Sequence, residues 1–208
     1  MAYNEFTIDT LEAQFGLRTD MHGDHFAAVA PVAISDWLRE SLQRGMPLAL
    51  AIGTEKARSE LLITPILLEA VQQRDQQVSF FSGVEFTVDS VLGLRDVVDY
   101  LISLSPEQLT VKAPVVAIVE AKNDNIRSGT AQCMAEMVAA QIFNRERGNE
   151  ITTICGVVTT GSVWQFLRLI DTTVYVDKTE YYLKEAEKIV AVLVAMVQEA
   201  MEAQSALS

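Results

Sequence analysis

Basic residues are scarce in this chain. Sixteen Lys and Arg stand against 28 Asp and Glu, giving a formal net charge of −12 over 208 residues. A free-standing binder of nucleic acid normally carries a basic stripe, because phosphate contacts dominate affinity. No such stripe is visible, which argues against tight, non-specific DNA binding and leaves open a locally basic cleft on an acidic body. Cysteine and histidine are scarce too, with two of each. The spacing of Cys133 and Cys155 to the histidines matches no zinc pattern. With no basic start leading into an apolar block, there is no export signal, so no disulfide is expected. No uninterrupted apolar run reaches the ~20 residues of a membrane span. A cytoplasmic protein with no membrane partner is the expectation.

Apolar residues, by contrast, are plentiful. Half the chain is hydrophobic and 21% is charged, a globular rather than a disordered composition. The length suits one domain with a real core. We read residues 1–208 as a single domain, with residues 1–50 as an N-terminal extension packed on it.

The strongest β signal is Val115-Val116-Ala117-Ile118-Val119, which runs straight into Glu120-Ala121-Lys122. Such a run predicts a strand buried on both faces. Side chains alternate along it, so Glu120 and Lys122 share one face and Ala121 takes the other. A carboxylate and an ammonium at the end of a buried strand are costly without partners, unless the strand has simply reached solvent. Upstream, Val97-Val98-Asp99-Tyr100-Leu101-Ile102 is a second apolar run with one acid inside it. If the two strands are neighbours, Asp99 and Glu120 meet, with Lys122 beside them.

The remaining pattern completes an α/β reading, a central mixed β-sheet flanked by helices. Ser35 is a good helix N-cap, and Gly45 with Pro47 predicts the end of that helix. Residues 55–73 read as a helix kinked at Pro65. Residues 77–81 and 84–89 flank Ser82-Gly83 as a possible hairpin. Residues 123–130 read as a loop, 131–145 as a helix, and 152–160, 163–169 and 174–176 as strands. Residues 180–204 predict a long helix, apolar on more than one face. That surplus suggests a homodimer through this C-terminal helix, the alternative being burial inside its own domain. Residues 6–15 fit either a helix or a short strand and turn. His22-Gly23-Asp24-His25 has metal-compatible spacing, but its glycine favours a plain turn.

Asp99 followed by Glu120-Ala121-Lys122 resembles the active-site signature of the PD-(D/E)xK, or restriction-endonuclease-like, nuclease superfamily. Thr54-Glu55-Lys56-Ala57-Arg58-Ser59-Glu60 is similar to the acidic first helix of that fold. More closely, residues 54–182 resemble an uncharacterised, mostly cyanobacterial group within it. The phrases are Phe81-Ser82-Gly83-Val84-Glu85-Phe86, Val119-Glu120-Ala121-Lys122-Asn123, Gln132-Cys133-Met134-Ala135-Glu136-Met137 and Thr159-Thr160-Gly161-Ser162-Val163-Trp164. The glycine often found before the first acid is absent here, so Asp96 stands as a second candidate to Asp99.

The resemblance implies a restriction-endonuclease-like fold and metal-dependent hydrolysis of phosphodiester bonds in nucleic acid, DNA more than RNA. It implies Asp99, Glu120 and Glu60 as metal ligands, Lys122 as the catalytic cation, and Gln132 and Arg58 as substrate contacts. From the residues alone, Glu60 equally fits an i,i+4 ion pair with Lys56. Arg58 and Gln132 equally fit solvent-facing positions. Oxygen ligands point to Mg²⁺ or Mn²⁺ rather than zinc. Two other classes fit the same residues: a nuclease-fold binding or regulatory module without catalysis, and a homo-oligomeric interaction protein whose acid–lysine cluster is a structural ion-pair network.

Overall fold

The computed structural model describes residues 2–73 and 78–207. Its centre is a seven-stranded mixed sheet: β1 (Arg18–Asp20), β2 (Ser79–Glu85), β3 (Val97–Ser103), β4 (Val115–Ala121), β5 (Ile154–Thr159), β6 (Val163–Ile170) and β7 (Thr173–Tyr182). The spatial order is β1-β7-β6-β5-β4-β3-β2. β4 pairs with β5 in parallel and with β3 antiparallel, so the predicted buried strand lies in the middle of the sheet. All seven β4 residues are buried, as the β-branched run predicts.

Helices cover both faces. α5 (Ile126–Glu146) packs on β4, β5 and β6. Cys133, Met134, Met137 and Ala140 of α5 join Leu101, Ile118 and Val158 of the sheet in one core. On the other face, α4 (Thr64–Gln72) and α6 (Ala186–Leu207) pack together over Tyr100, Ala117, Val119 and Val157. Residues 1–50 contribute to both cores: α1 (Ile8–Phe15) adds Leu11 to the first, and α2 (Asp36–Ile52) adds Leu38 and Ala49 to the second. The same stretch supplies the edge strand β1.

Several predicted boundaries move. α2 does not stop at Gly45 but runs through Pro47 to Ile52. Pro47 lies on the exposed side, where water can take the freed carbonyl. Gly45 faces inward, and a Cβ there would stand 2.7 Å from the Leu61 carbonyl oxygen. That carbonyl is the one whose α-helical donor would be the missing N–H of Pro65. The helix expected over 55–73 is therefore three pieces: α3 (Glu55–Arg58), a π-helical stretch at Ser59–Ile63, and α4. The Thr64 N–H reaches back to the Ser59 carbonyl, the wider spacing of a π turn.

The possible hairpin at Ser82-Gly83 is one continuous strand, β2, with Gly83 in its middle at φ +61°. Gln77, where the first of those strands was expected to begin, lies outside the described residues. The loop expected at 123–130 is mostly helix, because Asn125 caps α5 by accepting from the Arg127 N–H at 2.9 Å. Residues 180–182 extend β7, so the last helix begins later than expected.

Leu183–Ala206 is long and apolar enough to cross a membrane by length and composition, yet half of that window is buried in this fold. Ile189, Val190, Val192 and Val197 are at most 2% exposed within their own chain. The apolar surplus that suggested a second subunit is thus absorbed by the sheet and α4. Within its own chain the helix is covered on its sheet and α4 sides, so its apolar surface does not by itself require a second subunit.

Candidate active site

Asp99 and Glu120 come together through register. β3 and β4 pair with Tyr100 opposite Val119 and Leu101 opposite Ile118. Continuing by one residue sets Asp99 opposite Glu120, with both side chains on the α5 face. Asp99 Oδ2 accepts a hydrogen bond from the Ala121 N–H at 2.8 Å, closing the end of the ladder. Asp96 lies before β3 at φ 144° and accepts from the Val97 N–H at 2.8 Å. Of the two candidates, Asp99 is the acid that faces Glu120.

Glu120 is 1% exposed. Its Oε1 accepts from the Lys122 ammonium, its Oε2 is buried with no donor among the described residues, and the carboxyl lies within hydrogen-bond reach of Asp99, a bond that needs a shared proton. Lys122 Nζ also donates to Gln132 Oε1 at 3.2 Å, and Gln132 Nε2 donates to Glu136 Oε1 at 3.1 Å. Glu136, on α5, is fully buried, and its Oε2 is likewise without a partner. Gln132, expected as a substrate contact, therefore stands at the site and holds Lys122.

The electrostatics follow from crowding. Burial and the facing Asp99 carboxyl push the Glu120 pKa up to about 8, against the opposing pull of Lys122. Burial and Glu120 raise Glu136 well above the usual carboxylate range. Burial also raises Asp99, opposed by the Ala121 N–H. For Lys122, burial disfavours the ammonium, but the charges of Glu120, Glu55 and Asp99 outweigh it and hold the pKa above its ordinary value. Two carboxylates ~4 Å apart repel by roughly 4 kcal/mol at an effective dielectric of about 20. A shared proton or a cation removes that cost.

A pH dependence follows from Glu120. Unfolded, it ionises near 4.5; folded, it keeps its proton to about 8. Its contribution to stability is thus intact below the unfolded value and is lost as pH rises through the folded one. Glu120→Gln removes the ionisation. In metal-free buffer its melting temperature, relative to the wild type, should climb between about pH 5 and about pH 8. Paired thermal melts check this, and a difference that does not change with pH would contradict it.

The other expected site residues are placed differently. Glu60 is exposed and bonded to Lys56 at 3.0 Å, the i,i+4 alternative. The acid of this segment whose charge reaches Glu120 and Lys122 is Glu55, which the sequence reading passed over. Its signal was the N-terminal turn of α3, where Thr54 caps at the Ala57 N–H. Arg58 donates to the Thr160 carbonyl at 3.1 Å and to Ser162 Oγ at 3.2 Å, tying α3 to the β5–β6 turn. Among the described residues, no group of three or more His, Cys, Asp or Glu side chains is gathered to hold a metal ion. The three-carboxylate set of Asp99, Glu120 and Glu60 is not assembled; the facing pair is. His22 pairs with Asp20 at 3.2 Å and His25 packs edge-on against Tyr175, so the two histidines are engaged separately.

No family model matches the sequence, and no curated protein matches it either.

Proposed function

We propose that the chain is a metal-dependent phosphodiesterase of the restriction-endonuclease-like kind, acting on nucleic acid through Asp99, Glu120 and Lys122. The observation that carries this reading is the facing Asp99–Glu120 pair, two carboxyls within hydrogen-bond reach of each other on adjacent strands, with an ammonium two residues on. Such a pair fits Mg²⁺ or Mn²⁺. Mg²⁺ is commonly held by only one or two carboxylates and completes its shell with waters and substrate oxygens. The neighbouring Cys133 thiol, its pKa raised by burial, is no thiolate ligand for zinc. When bound, the ion supplies an activated water and neutralises charge developing on the phosphate.

The chain's own groups do the rest. Asp99 and Glu120 present carboxylate oxygens from two adjacent strands of a rigid sheet. Lys122 carries a fixed positive charge toward the phosphate and can hydrogen-bond its oxygens as their charge grows. The net charge of −12 makes the encounter weak and local, so a substrate should engage chiefly at the site itself.

One feature favours a second reading, a structural ion-pair network without catalysis. The links from Glu120 through Lys122 and Gln132 to Glu136 already give Lys122 its partners inside the fold. A cleavage screen separates the readings. Single- and double-stranded DNA and RNA are incubated with Mn²⁺ and the purified full chain. The phosphodiesterase reading expects metal-dependent cutting of at least one. Four intact substrates, together with no effect of Mn²⁺ on the melting temperature, would leave the network reading.

A further inference from the structure

Lys122 lies against α5 at two points along one helix face, and a third residue on that face backs the second. Residues 129, 132 and 136 are spaced i, i+3, i+7, the spacing of a single face. At the first point there is no side chain. A Cβ on Gly129 would stand 2.9 Å from Lys122 Cγ, 3.0 Å from Lys122 Cε and 2.8 Å from Val158 Cγ1. The lysine stem therefore passes where any larger residue would displace it. At the second point, Gln132 Oε1 accepts from Nζ at 3.2 Å. The third residue, Glu136, accepts through its Oε1 from Gln132 Nε2 at 3.1 Å.

The third contact fixes the second. A lysine ammonium has only donors, so Gln132 must offer it oxygen rather than nitrogen. The amide then points its NH₂ at Glu136, which has an oxygen to receive it. Without Glu136, either face of the amide could turn toward Lys122, and the NH₂ face would repel it. Glu136 is fully buried, where a carboxyl group is costly unless its neighbours use it.

We infer that Gly129, Gln132 and Glu136 form a lysine cradle on α5, in which Gly129 and Glu136 are positioning residues that set the direction of Lys122. That Lys122 is the working cation rests on the proposed phosphodiesterase function; the cradle itself is testable apart from it.

The chain has only six lysines, which makes their side-chain methylenes separable by NMR. The test uses the full-length, metal-free protein with ¹³C-labelled lysine, and Lys122→Arg assigns the Lys122 signal. A held Lys122 gives two distinct ε-proton resonances; an exposed, freely rotating lysine gives one. Glu136→Met should shift the Lys122 pair and narrow its splitting, Glu120 Oε1 still holding the ammonium, with the other five lysine signals unmoved. Glu136→Gln, which keeps an oxygen for Gln132, should preserve the pair. Gly129→Ala should shift the Lys122 signals without releasing the ammonium from Gln132. If Glu136→Met does not fold, Gln132→Met replaces it, with the same shift and narrowing expected. An undisturbed Lys122 pair in the Met variant would overturn the cradle. So would a Glu136→Gln variant that shifts and narrows the Lys122 pair as much as Glu136→Met. A protein that cleaves nothing with Mn²⁺ but passes this test loses the phosphodiesterase reading and keeps the cradle.

Discussion

Replacing Lys122 by Ala should reduce Mn²⁺-dependent cleavage by at least ~10²-fold, the loss typical when one donor to a developing oxyanion is removed. Metal binding should survive. Lys122 is not a ligand, and its ammonium competes with any cation for Glu120 Oε1. Loss of the lysine removes the pull that lowers the Glu120 pKa, which then rises further above about 8, so the two proteins are compared as full pH profiles rather than at one pH. Lys122→Arg is the informative partner. It keeps the charge but not the shape, and the space that Gly129 leaves was cut to a narrow methylene stem. It should recover little of the lost rate. Equal cleavage by the wild type and Lys122→Ala would mean a contaminating nuclease or a different active site.

The second large effect is thermal. At free Mn²⁺ about 100-fold above its dissociation constant, a single site stabilises by ~2.7 kcal/mol. For a domain of this size that corresponds to roughly 5–10 °C in melting temperature. The ion also relieves the Asp99–Glu120 repulsion, which Na⁺ at matched ionic strength cannot do by site binding. Asp99→Asn and Glu120→Gln should each lose most of the Mn²⁺ response. Differential scanning fluorimetry of the three proteins with Mn²⁺, Mg²⁺ and Na⁺ checks this. A flat response in the wild type, or an equal rise in all three, would place the binding elsewhere.

The two acid-bearing strands were legible in the sequence, because a run of β-branched residues has few other uses and alternation fixes which face each acid takes. Their adjacency was not. Register is set by pairing between distant segments, and nothing local to Val97 or Val115 determines it. Glu55 was missed for a different reason. Helical spacing paired Glu60 with Lys56, as the structure has it; the resemblance aimed Glu60 at the metal site instead, and Glu55 at the start of α3 went unweighed. Pro47 misled because a proline need not end a helix when it lies on the exposed side. The long C-terminal helix read correctly as buried on several sides, but hydrophobicity does not say against what. The structure answers with the sheet and α4.

The most direct measurement is anomalous diffraction from crystals grown with Mn²⁺ above pH 8. The account predicts a manganese peak bonded to carboxylate oxygens of both Asp99 and Glu120, at the ~2.0–2.6 Å of such bonds, with Lys122 still held by Gln132. A structure in which Asp99 and Glu120 carry no peak, while Lys122 keeps its bond to Glu120, would contradict it.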